Sequence, residues 1–146
     1  MINSTIVPFH ALNLGAFYDI LALRSEVFIV EQQCAYLDVD YKDQTAQHLL
    51  LRDENRLIAY ARILPFKDGT MSFGRLVTAP SHRGQGLGKI LMTMILAYLK
   101  KHHPDQAITI TAQQYLAEFY QDYGFVAQGH PFDWDGIPHL LMVKQP

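Results

Sequence analysis

One cysteine, one tryptophan and no apolar run of bilayer-spanning length mark this chain of 146 residues by what it lacks. The lone Cys34 excludes an internal disulfide and fits a reducing compartment. A membrane helix needs about 18 to 20 consecutive apolar residues, and none occurs. The opening MINSTIVPFH has no basic stretch followed by an apolar one, so no secretory leader is expected. There is no basic excess either: 12 Lys and Arg stand against 14 Asp and Glu, a net charge of −2. A nucleic-acid partner held by surface charge is therefore not expected. The seven histidines stand at no recognisable metal-ligand spacing with Cys34 or the acids, so no metal is expected. Repeats, low-complexity tracts and linkers are all missing. These absences leave a soluble, cytoplasmic chain forming one domain over residues 1–146, with its oligomeric state open, a homodimer included.

Hydrophobic residues make up 49% of the chain and charged residues 18%, enough for a buried core. Ser4 to Phe9 reads as a short strand. Ile20, Leu21, Arg24 and Phe28 fall at helical spacing, which predicts a helix from Phe17 to about Val30. Glu31 to Asp43 is polar and acidic, a loop or broken helix. His48–Leu51, Leu57–Leu64 and Thr70–Thr78 read as three strands joined by the turn signals Asp53-Glu54-Asn55 and Lys67-Asp68-Gly69. Leu87, Ile90, Leu91, Met94, Ile95, Tyr98 and Leu99 then repeat at helical spacing, and Pro104 closes that helix. Ile108 and Ile110 alternate with Thr109 and Thr111 as a strand. Leu116, Phe119, Tyr120 and Tyr123 share a helical face, with Gly124 placed to cap it. Two closing strands follow, from Phe125 and over Leu140–Val143. The order β-α-β-β-β-α-β-α-β-β predicts an α/β (α+β) fold with helices on both faces of a mostly antiparallel sheet.

The stretch SHRGQGLGKILM sits between a strand and a helix and carries Gly84, Gly86 and Gly88, flanked by Arg83 and Lys89. A helix N-terminus offers about four free N–H groups and roughly half a positive charge. Glycines let a phosphate approach that backbone closely. Two phosphate motifs are excluded. A Walker A loop needs Ser or Thr after its lysine, where Ile90 stands, and G-x-G-x-x-G fails because these glycines are spaced G-x-G-x-G.

Arg83-x-x-Gly86-x-Gly88 resembles the coenzyme A pyrophosphate loop of the GNAT superfamily of N-acetyltransferases. EFYQDYGF resembles the superfamily's second signature, a helix carrying Phe119-Tyr120 and closing with Gly124-Phe125. LRSEVFIVEQQCAYLDVDYKDQTAQHLL, YARIL and DGIPHLLM are similar to the ElaA subfamily and together span nearly the whole chain. The resemblance implies acetyl-CoA as cosubstrate and direct transfer to the primary amine of a small molecule or peptide. It implies backbone contacts from Leu76, Val77 and Thr78 to the acetyl and pantetheine arm. Arg83, Gly84, Gln85, Gly86, Leu87, Gly88 and Lys89 would hold the pyrophosphate. Tyr120 matches the tyrosine that serves the departing sulfur as general acid, and Gln113 stands where many relatives place a pantetheine-binding asparagine.

One departure concerns the base. Many superfamily members carry a glutamate on the strand before the loop, yet MSFGRLVT holds no carboxylate. Water or a group from elsewhere must take the amine proton. Glu31, Asp38, Asp40 and Asp43 crowd one loop, and Asp133 and Asp135 flank Trp134. They read either as solvated loops or as an acidic, partly aromatic site for a cationic amine. Glu31 and His139 are the candidates to act chemically. Two other functions compete. An acyl-homoserine-lactone-synthase-like acyltransferase is echoed by Arg24, Phe28 and the acidic loop, but an intact pyrophosphate loop argues against it. A non-catalytic acyl-CoA-binding or sensor module would keep the glycines and have no need of Tyr120.

Overall fold

In a computed structural model describing residues 1–146, the chain runs β1 (Ile2–Pro8), α1 (Leu14–Arg24), β2 (Gln47–Asp53), β3 (Arg56–Pro65), β4 (Met71–Thr78), α2 (Leu87–His102), β5 (Ile108–Gln113), α3 (Ala117–Gln121), β6 (Val126–Trp134) and β7 (Ile137–Lys144). This is the predicted order of elements. The strands form one seven-stranded sheet in the order β1-β2-β3-β4-β5-β7-β6. No helix is long and apolar enough to cross a membrane.

The run Leu49-Leu50-Leu51 explains how both faces become covered. Side chains alternate across a strand, so Leu49 and Leu51 join Leu87, Leu91, Ile95 and Leu99 of α2. Leu50 turns the other way, onto Ile20, Leu23 and Val27 beneath α1. The four α2 side chains are at most 2% exposed. Each contributes roughly 1.5–3 kcal/mol of transfer free energy. Ile90, expected on the same face, is 40% exposed, because the buried stripe is narrower and follows i, i+4.

Two helices depart from their predicted limits or form. α1 starts at Leu14 instead of Phe17, because the Asn13 side chain accepts a 2.7 Å hydrogen bond from the Ala16 N–H and caps the first turn. Beyond Arg24 the helix widens into a π-helix over Ser25–Glu31. Its five-residue spacing shows in Gln32 N–H to Val27 C=O and Cys34 N–H to Ile29 C=O. α3 has only five residues, preceded by a tight turn over Gln114–Leu116. Its end matches expectation: Gly124 has φ +94°, Phe125 N–H bonds the Tyr120 C=O, and Gly124 N–H bonds the Gln121 C=O. The Tyr120 and Phe125 rings lie 6.1 Å apart across that cap.

The sheet is interrupted where it matters most. β4 and β5 are parallel neighbours joined at only one register pair, Met71 with Ile108. Beyond it they diverge, so the facing edges of both strands carry backbone groups the sheet does not pair. β4 also bulges, since Gly74 pairs Arg62 while Val77 pairs Tyr60. Arg75 in the bulge has φ +52°, a left-handed conformation uncommon for a non-glycine residue.

Candidate active site in the split between the fourth and fifth strands

The divergence of β4 and β5 opens a cavity of about 1300 Å³. Leu76, Val77 and Thr78 line one wall and Ile110 to Gln113 the other, with Glu31, Tyr120 and His139 around them. A second cavity, about 250 Å³, lies over the glycine loop and is lined by Arg83, Gly84, Gly86, Leu87, Gly88 and Lys89. Thr78 and Arg83 border both spaces.

Gly84 and Gly86 take φ +78° and +75°, and a Cβ on either would meet nothing within 4 Å. These positions need glycine for backbone angle, not for room within the protein itself. Gly88 differs: its φ is ordinary and an added Cβ would lie 3.8 Å from Phe119. Gly86 caps the start of α2, so the first amides of that helix, on residues that line the small cavity, have no partners in their own helix. Leu87 is anchored in the core, and Gln85 is exposed and borders neither cavity.

Tyr120 is 7% exposed and packs on Phe73, Phe119 and Phe125 while lining the large cavity. Burial pushes its hydroxyl up to about 12, so it stays protonated at neutral pH. Gln113, at the end of β5, reaches across to Gln32 at 3.4 Å and pairs in register with His139 on β7. His139 Nδ1 lies 2.7 Å from the Ile137 carbonyl. A carbonyl only accepts, so Nδ1 carries a proton, and Nε2 is the ring nitrogen left to exchange one with a ligand. Phe132 and Trp134 flank that ring. Cys34 donates a weak hydrogen bond to the Asp135 carbonyl at 3.2 Å, tying the acidic loop to the β6–β7 turn.

The acidic loop is neither a solvated tract nor an open anionic surface. Asp38, Asp40 and Asp43 alternate with Arg24, Arg62 and Arg75 in a closed ring of ion pairs. Arg24 holds Asp38 and Asp43 at 2.8 Å each; Arg62 holds Asp43 at 2.9 Å and Asp40 at 2.6 Å; Arg75 holds Asp38 at 2.8 Å and Asp40 at 3.4 Å. Burial opposes the charge on Asp40 and Asp43, yet the arginine hydrogen bonds and charges outweigh it and hold both below the usual carboxylate range. Beside the ring, His48 accepts from Tyr60 at Nδ1, 2.6 Å away, and donates from Nε2 to the Asp43 carbonyl at 2.8 Å. Burial holds that imidazole below its ordinary value. Glu31 is engaged separately, in a two-point ion pair with Arg83.

The profile of the acetyltransferase (GNAT) domain family matches residues 19–146. The chain belongs to the GNAT acetyltransferase family. Within it the chain is ElaA-like: it is 37% identical to the protein ElaA of Escherichia coli over 138 residues, which cover 92% of this chain and 90% of that one. The crystal structure of E. coli ElaA superposes with a TM-score of 0.93, covering 99% of this chain and all of that one. A Pseudomonas aeruginosa structure described as an acyl-CoA N-acyltransferase is 36% identical, with a TM-score of 0.94 and 99% of both chains covered. A UPF0039 protein of Synechocystis is 38% identical over 97% of this chain and 94% of its own length. The split sheet, the glycine loop and the seven-strand order thus belong to a GNAT fold. Missed in the sequence was the ion-pair ring. Its available signal was Arg24 at a buried-face position of a helix, which demands a partner, with three aspartates downstream.

Proposed function

We propose that this GNAT protein is an acetyl-CoA-dependent N-acetyltransferase acting on a primary amine by direct attack. The observation that carries the reading is one continuous path. It runs from the φ-positive glycines at the start of α2, along the unpaired edges of β4 and β5, to the Tyr120 hydroxyl. A pyrophosphate suits the first, because helix amides and Lys89 supply positive charge. The amides of a pantetheine arm suit the second, because strand edges seek partners. The protein named as an acyl-CoA N-acyltransferase in P. aeruginosa has the same fold at 36% identity.

In this mechanism the thioester carbonyl takes a backbone N–H from the β4 bulge as negative charge develops on its oxygen. The amine must attack in its neutral form, and a lysine-like amine has a pKa of about 10.4. His139 offers Nε2 in the same cavity and receives the proton directly or through water. The C–N bond forms, the C–S bond breaks, and the thiolate leaves. Tyr120 serves that thiolate by hydrogen bonding more than by completed transfer. Its proton is held at about 12, above the roughly 8.5 of a thiol, so full donation is uphill. The test is a panel of primary amines, amino acids and peptides scored for acetyl-CoA-dependent thiol release. A substrate that gives matched thiol and N-acetyl product supports the reading. Binding of acetyl-CoA with no transfer to any amine class would favour a sensor module.

A further inference from the structure

Arg83 opens the glycine loop, and its guanidinium is already taken. Nη1 and Nη2 contact the two carboxylate oxygens of Glu31, the first at 2.8 Å, with both side chains a little under half exposed. Glu31 is the last residue of the π-helix Ser25–Glu31, 52 positions away in sequence, and it lines the same cavity as Tyr120 and His139. Arg83 borders both that cavity and the smaller one over the loop. The pair therefore spans the junction of two spaces, and it neutralises a cation at the mouth of the loop.

We propose that Glu31 is a built-in competitor for Arg83: an incoming pyrophosphate takes over the guanidinium, and the displaced Glu31 carboxylate becomes free in the acceptor part of the cavity. This rests on the reading that the cavity takes an acyl-CoA. Three features support the exchange. Guanidinium binds phosphate oxygens in the same two-pronged way as carboxylate, so one geometry replaces the other. Both side chains are partly exposed, so the swap needs only rotamer changes and no backbone movement. An exposed ion pair is only weakly held, so a ligand of higher charge can displace it. The consequence is a site that gains a further anionic group for an ammonium, beside Asp135, once the cosubstrate is seated. Of the acids lining this cavity, Asp40 stays locked in the arginine ring, Asp135 stands in the β6–β7 turn outside any ion pair, and Glu31 is the one that cosubstrate binding releases.

Calorimetric titration of coenzyme A into four proteins tests the exchange: the wild type, Glu31→Gln, Arg83→Gln and the double variant. Removing the competitor should tighten coenzyme A binding by about three- to tenfold in Glu31→Gln, since a weak pairing and a like-charge repulsion are both lifted. Arg83→Gln should weaken binding, and Glu31→Gln should add little in that background. Glu31→Asp, which keeps the charge but shortens its reach, should fall between wild type and Glu31→Gln. If Glu31 instead holds Arg83 in place for the phosphate, Glu31→Gln will bind coenzyme A less tightly. Weakened or unchanged binding there overturns the exchange, while absence of binding to the folded wild type overturns the acyl-CoA reading itself.

Discussion

The glycine loop lies over the small cavity and the acidic loop along the large one, and these two polar segments are built in opposite ways. The loop at residues 83–89 is made of backbone: Gly84 and Gly86 hold left-handed angles, and the start of α2 supplies the amides. Its instructions are local, written in a few adjacent residues. The segment at residues 36–45 is made of side chains. Asp38, Asp40 and Asp43 are fixed by arginines from α1, β3 and β4, which come together only after the sheet has formed. A backbone device can lose its ligand without losing the fold. A ring of buried charges cannot lose a member without leaving another charge unpaired. The first region should therefore report on binding and the second on stability.

The largest effect should come from breaking the ring. Arg24→Ala leaves Asp38 and Asp43 short of a partner in a site where the arginine is fully buried. Removing one partner of a buried pair costs about 3–5 kcal/mol. A thermal melt should fall by roughly 6–20 °C, using about 2–4 °C per kcal/mol for a chain near this size. A shift under 2 °C would show that the ring is ornamental.

Gly86→Val addresses the other region. A β-branched residue at φ +75° is strained, and its side chain would project where the pyrophosphate is expected. Coenzyme A affinity should fall by about a hundredfold or more, roughly 2.7 kcal/mol. Circular dichroism should stay close to that of the wild type. A folded variant with near-normal affinity would remove the loop from the binding site.

Tyr120→Phe sharpens the comparison at the point where the two regions meet. The ring keeps its contacts with Phe73 and Phe125, and only the hydroxyl is lost. Turnover should drop at least tenfold, about 1.4 kcal/mol, with acetyl-CoA affinity little changed. Unchanged turnover, with chemistry shown to be the slow step, would leave Tyr120 a packing residue.

A smaller effect reads the ion-pair region by pH. His48 is buried neutral, so its folded value lies below the ordinary 6.5 or so. The unfolded chain then binds more protons in that window. Stability is complete above about pH 6.5 and declines as pH falls through the folded value. Asp40 and Asp43 are also depressed, so their contribution is present above about pH 4 and is lost below it. Denaturant melts should show an acid decline in two stages, and His48→Gln should flatten the first. A wild-type stability constant from pH 7 to 5 would count against the buried neutral imidazole.

Legibility in the sequence follows the same division. Strands and helices were readable because Leu49-Leu50-Leu51 and the Leu87-to-Leu99 repeat carry their own periods. The loop was readable because glycine has few other reasons to recur at that spacing beside a helix. Gly124 was readable as a cap for the same reason. The π-helix was not, because Ser25–Glu31 continues the helical pattern of α1 and no residue in it signals the widening. Nor was the Glu31–Arg83 pair, since 52 intervening residues separate two charges that no local pattern relates. The bulge at Arg75 was hidden because its left-handed backbone falls on a non-glycine residue that ion pairs with Asp38 and Asp40 hold in place.

A thermal melt with acetyl-CoA tests most directly whether the split sheet and glycine loop form an acyl-CoA site. A ligand bound only by the folded chain adds about 2.7 kcal/mol at a hundred times its dissociation constant. The melting temperature should then rise by roughly 5–10 °C and saturate along a one-site curve. A melt unmoved by millimolar acetyl-CoA, under conditions where the chain is folded, would contradict that assignment.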